Sequence, residues 1–201
     1  WFSEWIGAQM RTMVHGFLAP GDPDRAALYA WRDSVVSHSG NGVYGGIHAA
    51  VLVSLAFRYD DARSLLAASR AWVPDGTEFA DVFDRTLEAA RASRTALEAW
   101  RRVESRFERF NWIHVFPNLA AVVLGLWFSD NDLGTAFRAL ADCGMDVDCN
   151  AGEVGSVLGA MNGSVPAARA DPLGGRLDTY VPGYETMSLE ELADWTMRAA
   201  E

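Results

Sequence analysis

The sequence contains no lysine, since all 17 of its basic residues are arginine. Schiff-base chemistry through a lysine and the lysine of a phosphate-binding loop are therefore excluded. Cysteine is scarce: Cys143 and Cys149 stand alone, six positions apart. Two cysteines do not make a disulfide framework, and no second Cys/His cluster supplies zinc spacing, so free thiols in a reducing cytoplasm are expected. Long apolar runs are missing too. The longest, such as Leu119 to Phe128, fall short of the roughly 20 residues that span a bilayer, and no signal peptide is visible. A surplus of positive charge is also lacking. The net charge of -10 argues against nucleic acid or an anionic membrane as partner, because both need clustered cations to neutralise phosphate. No period-2 run exceeds a few residues, which removes the usual mark of a β-fold.

What remains is a globular composition. Of the 201 residues, half are hydrophobic and 22% are charged, enough for one domain or a large part of one. The chain begins at Trp1 inside amphipathic sequence, without an initiator Met, and reads as cropped, processed or the second piece of something longer. Helical periodicity predicts an all-α chain with helices near 22–37, 43–57, 80–108, 118–128, 131–142, 150–162 and 188–200. Asp22-Pro23 is a good helix start. Asp60 is expected to cap a short helix through Ala68, Asp130 the helix from Leu133, and Ser188 with Glu191 forms a capping box for the last one. Residues 166–183 read as irregular. Gly152, Gly155, Gly159 and Gly163 in one helix predict close backbone approach there. The apolar helices after Val43 and around Ala120 predict cover from another segment.

The segment that carries chemistry runs from Cys143 to Glu153. Asp146 and Asp148, two apart in a tight loop, can converge on one cation, and hard oxygen ligands suit Mg²⁺, Mn²⁺ or Ca²⁺ better than zinc. The helix that follows points its positive N-terminus at the loop, a natural place for phosphate. Taken alone, an Asp-x-Asp pair more often serves capping and turn chemistry. Gly40-Asn41-Gly42-Val43-Tyr44-Gly45 offers backbone N–H groups to a ribose or phosphate, or is an ordinary turn that opens a helix. Tyr44 is placed equally well to stack on a base or to sit in the core. His114 and Asn118, four apart, share a face if that segment is helical, as a cleft wall or as a structural pair.

Asp146-Val-Asp-Cys-Asn-Ala, followed by a helix of small residues, resembles the late metal motif of the ADP-ribosylglycohydrolase family. Trp5-Ile-Gly-Ala-Gln-Met-Arg, Pro20-Gly-Asp-Pro, Ala30-Trp-Arg-Asp, Ser37-His-Ser-Gly-Asn-Gly-Val-Tyr-Gly and His114-Val-Phe-Pro-Asn resemble a bacterial branch of that family, in the same order. The resemblance implies an orthogonal helical bundle, with residues 1–201 as the C-terminal part of a single domain. It implies a two-metal Mg²⁺ centre, Mn²⁺ being the other suitable ion, that hydrolyses the ribosyl C1″ bond of an ADP-ribosylated substrate or a ribosyl-containing small molecule. Asp146 and Asp148 would be the catalytic metal ligands, with Asp148 the better placed to bridge two ions. Asn41, Gly42, Tyr44 and Gly45 would lie beside the ligand, with His114 and Asn118 on the cleft wall.

Two departures from the family pattern bear on activity. Cys149, the third expected metal residue, stands where many members have a metal-ligating Thr, and a thiol is a poor ligand for a hard cation. The family's first metal motif, a Thr-Asp-Asp type run, is absent, and Asp60-Asp61 occupies a different place in the motif order. The resemblance therefore implies that an N-terminal half or a companion chain completes the metal site. The alternatives are a catalytically degenerate module that binds ADP-ribose or a nucleotide, and a scaffold that keeps only the fold.

Overall fold

Two short helices, α1 (Gly7–Arg11) and α2 (Met13–Phe17), open the computed structural model, which describes residues 2–200. α3 (Pro23–Ser34) starts as its sequence predicts, with Pro23 at the first position and the Arg25 N–H donating to the Asp22 carboxylate at 3.1 Å. α4 (Asn41–Ala56) follows, then α5 (Ala62–Ser69), which Asp61 caps by accepting from the Arg63 and Ser64 N–H groups. Asp60, the expected cap, instead gives its carbonyl to Asn131 Nδ2.

The predicted helix over 80–108 is divided. α6 (Glu78–Arg91) ends at Ala92, and α7 (Ala96–Val103) begins after Thr95, with a 3₁₀ turn over Glu104–Phe107 beyond it. The cause is a capping box inside the amphipathic run. Thr95 Oγ accepts from the Glu98 N–H at 3.2 Å, and Glu98 Oε2 reaches back to the Arg94 N–H at 3.0 Å. α8 (Val115–Trp127) and α9 (Leu133–Cys143) come next. α9 is capped by Asp132, whose Oδ1 lies 2.7 Å from the Thr135 N. Asp130 and Asn131 take left-handed φ values of 48° and 61° instead. α10 (Val147–Asn162) ends at Gly163, and α11 (Ala167–Ala170) is a single turn. Part of the stretch expected to be irregular pairs as an antiparallel hairpin, β1 (Arg176–Asp178) with β2 (Thr186–Ser188). α12 (Leu189–Ala200) closes the described chain, with Ser188 Oγ accepting from the Glu191 N–H.

Among the described residues the chain is all-α apart from that hairpin, and no helix is long and apolar enough to cross a membrane. α4 and α8 form the centre. Each is apolar around nearly its whole circumference because its own chain wraps it: α1, α2, α3 and α10 pack on α4, and α6, α7, α9 and α10 on α8. The expectation that another segment covers these two helices is therefore corrected. Phe79, Phe83 and Phe116 are fully buried between them and their neighbours, each contributing about 1.5–3 kcal/mol of burial.

The close-approach glycines also lie elsewhere than expected. They are on α2 and α4 above all, where a Cβ at Gly16 would overlap the Ala50 carbonyl, one at Gly46 Ser34 Oγ and one at Gly42 the Ser3 carbonyl. On α10, a Cβ at Gly152, Gly155 or Gly159 would meet nothing nearer than 3.7 Å, and one at Gly163 nothing at all.

Candidate metal-binding site

α9 stops at Gly144, which takes φ 71°, and Met145 follows with φ 66°. A left-handed methionine is an unfavourable conformation that surrounding contacts must hold. It delivers Asp146 to the N-cap of α10. There the Asp146 N–H donates to Asn118 Oδ1 at 3.1 Å, and the same oxygen accepts from Asn150 Nδ2 at 2.8 Å. Asn118 Nδ2 donates in turn to the carbonyls of Trp112 and His114, at 2.9 and 2.8 Å. One fully buried amide thus ties the start of α8 to the start of α10. Asn118, expected on the cleft wall, works from beneath the loop.

The Asp146 carboxylate makes no capping hydrogen bond of ordinary geometry. The Cys149 N–H, three residues on, still lowers its pKa from the capping position. The carboxylate also faces Asp148 and the Cys149 thiol, and one ligand atom from each of the three lies within 4.8 Å of the others. Among the described residues this is the one cluster of His, Cys, Asp and Glu with that geometry. Burial, followed by the neighbouring Asp148, raises the pKa of Asp146, while the Cys149 thiol and N–H pull the other way. Bringing two carboxylates this close is costly without a cation between them. The two carboxylates fit a hard divalent ion. Cys149 fits less well: burial and the two aspartates push its thiol up to about 12, and its Sγ lies 3.4 Å from Met10 Sδ. It is a neutral thiol lying against α1.

One further group in this region was not singled out by the sequence. Glu153, 1% exposed, follows Cys149 by one turn of α10, and its Oε2 accepts from Gln9 Nε2 at 2.7 Å. Burial raises the Glu153 carboxyl to about 8, against a smaller lowering by Gln9. Glu153 Oε1 and Gln9 Oε1 are buried without a hydrogen-bond partner. The available signal was spacing: Asp146, Asn150, Glu153 and Val157 recur at helical intervals on one buried face.

Of the remaining predicted residues, Asn41, Gly42 and His114 gather around Glu4. Asn41 donates to Glu4 Oε1 from its backbone N and its Nδ2, at 2.8 and 2.9 Å. His114 Nε2 lies 3.7 Å from Glu4 Oε2, and its Nδ1 accepts from the Phe116 N–H. Burial lowers the pKa of His114, opposed by Glu4. Gly42 packs on Ser3 and Glu4, and Gly45 on Val115 and Gln9. Tyr44 meets Phe79 edge-on at 6.3 Å and packs against the core. The structure thus brings Asp146, Asp148 and Cys149 together, with Asn118 behind them. It collects Asn41, Gly42 and His114 around Glu4, and Gly45 with Gln9 stands between the two groups.

A family model described as ADP-ribosylglycohydrolase matches residues 3–201. No curated protein and no solved structure matches the chain.

Proposed function

Because the chain belongs to the ADP-ribosylglycohydrolase family, we propose that it hydrolyses ribosyl N- or O-glycosidic bonds with a divalent cation held by Asp146 and Asp148. In such a reaction water oxygen bonds to ribose C1″ as the C1″–N or C1″–O bond breaks. The bonding pair leaves on that nitrogen or oxygen, which takes up a proton. A bound Mg²⁺ or Mn²⁺ would orient the ribose hydroxyls and acidify a water. This chain's residues hold and aim the ligand atoms. Asn118 fixes the backbone of Asp146, and the left-handed Met145 turns the chain into α10. The observation that carries the reading is an Asp146 carboxylate grouped with two further donors within 4.8 Å.

Three donors, one of them a neutral thiol, make one wall of a metal centre. The rest of the coordination would come from water and from an N-terminal half or companion chain, with residues 1–201 as the C-terminal part of one domain. The same one-sidedness supports a second reading, a module that binds ADP-ribose or a nucleotide without turnover. Release of ribosyl groups from ADP-ribosylated protein and from small ribosides by the chain together with the segment or chain that completes its metal site, with and without EDTA, separates them. The hydrolase reading expects EDTA-sensitive release that Asp148→Ala abolishes. ADP-ribose binding with no metal-dependent release would replace it with the second reading.

A further inference from the structure

Gln9 Oε1 and Glu153 Oε1 are buried without a hydrogen-bond partner, and both belong to one contact. Gln9 and Glu153 are almost fully buried, and Gln9 Nε2 donates to Glu153 Oε2 at 2.7 Å. Both end groups are planar, so each bare oxygen sits about 2.2 Å from the atom already engaged. As a carboxylate, Glu153 would set a buried charge against a single amide N–H and leave both oxygens bare. With the Gln9 amide turned over, two oxygens would face each other instead. One arrangement satisfies all four atoms. A proton on Glu153 Oε1, aimed at Gln9 Oε1, lets acid and amide each give one hydrogen bond and take one. Burial favours that neutral acid.

The contact joins α1 to the second turn of α10, one turn after Cys149. Met10, next to Gln9, places its Sδ 3.4 Å from Cys149 Sγ, so α1 meets α10 at two successive turns. On another side Asn118 holds Asn150 and the Asp146 N–H. Gly45 of α4 stands against Gln9, where an added Cβ would meet Gln9 Oε1 at 3.4 Å, which leaves the amide little room to turn. Asp148 lies in the first turn of the helix that these contacts orient. Metal ligands must be held to within about 0.5 Å, and the contacts that orient them matter nearly as much as the ligands.

We infer that Gln9 and Glu153 are positioning residues for the metal-binding turn, joined as a buried amide and a protonated acid that fix α10 against α1. The inference rests on the reading of Asp146 and Asp148 as metal ligands. The pair orients the helix and does not coordinate the ion.

Two measurements on the full chain test it. The infrared difference between the parent and Glu153→Gln, recorded at about pH 6, where an exposed glutamate is ionised, should show the carbonyl band of a protonated acid. An ionised carboxylate band in its place would overturn the acid–amide pair. Calorimetric Mn²⁺ titration reads the positioning. Glu153→Leu should bind Mn²⁺ at least about tenfold more weakly than the parent. Glu153→Gln rebuilds both hydrogen bonds as an amide pair and should recover most of that loss. The double variant Gln9→Glu with Glu153→Gln reverses the pair and should recover it too. If Glu153→Leu does not fold, Gln9→Asn, which keeps the amide and loses its reach, takes its place with the same expected loss. Parent-like affinity in the folded Leu or Asn variant, or a reversed pair as weak as Glu153→Leu, would overturn the positioning role while Mn²⁺ binding by the parent stands. A parent that binds no Mn²⁺ defeats the metal reading and the positioning role together.

Discussion

Glu153→Gln should make the chain more stable at pH 8 and remove much of its pH dependence. Glu153 is 1% exposed, and burial raises its folded-state pKa from 4.5 to about 8. Between those values the folded chain keeps a proton that the unfolded chain has released. Unfolding free energy then falls by about 1.4 kcal/mol for each pH unit of rise. The contribution is fully present below about pH 4.5 and is lost as pH climbs through 8. The total is at most on the order of 5 kcal/mol, from the 3.5-unit difference between the two printed values. Glutamine has the shape of the protonated acid and still accepts from Gln9 Nε2, so the variant lacks this slope. Both proteins carry the same Asp146, Asp148 and Cys149, and the difference between their curves isolates Glu153. Calorimetric melts in EDTA from pH 5 to 8.5 read it directly. For a chain of this length each kcal/mol moves Tm by about 2–4 °C, so a gap of at least roughly 6 °C in favour of the variant is expected at pH 8, closing toward pH 5. Parallel curves would refute the claim that Glu153 is buried as a neutral acid.

Asn118→Ala removes the partners of two carbonyls, one backbone N–H and one side-chain amide. Leaving such groups unpaired should cost about 3 kcal/mol or more in urea melts and weaken Mn²⁺ binding at least about tenfold. Asp148→Ala should leave the apo melting temperature nearly unchanged or raise it, because it relieves repulsion with Asp146. Cys149→Ser should tighten Mg²⁺ binding in a calorimetric titration by replacing a neutral thiol with an oxygen donor. Gly46→Ala should be destabilising by about 2 kcal/mol or more, since its Cβ meets Ser34 Oγ. Gly155→Ala, with space around its Cβ, should gain up to about 1 kcal/mol of helix propensity, as chemical denaturation would show.

The helices were legible because apolar spacing over three or more turns is a strong local signal, and the Asp22-Pro23 and Ser188–Glu191 starts stood where predicted. The errors came where a local signal was outvoted or missing. Thr95 and Glu98 form a capping box that the continuing amphipathic stripe concealed. Asp132 and Asp61 cap where Asp130 and Asp60 were expected, a choice that backbone conformation makes and composition does not. Asp146 and Asp148 stand close together, but not on one loop as expected: α10 begins at Val147, so Asp146 is its N-cap and Asp148 lies in its first turn. Gln9 on Glu153 spans 144 positions, and Asn118 on Asp146 spans 28, so neither contact has a local sequence signature. The glycines of α10 suggested tight packing by their number, but the helices that truly approach closely do so at Gly16, Gly45 and Gly46.

The central claim is that Asp146 and Asp148 hold a divalent cation. Crystals of the chain soaked in Mn²⁺, with diffraction recorded on both sides of the manganese absorption edge, test it with no assumption about substrate. The account predicts an anomalous peak at direct-coordination distance from both the Asp146 and Asp148 carboxylates, absent from Asp148→Ala crystals soaked alike. A peak elsewhere, or none on this loop at saturating Mn²⁺, would contradict it.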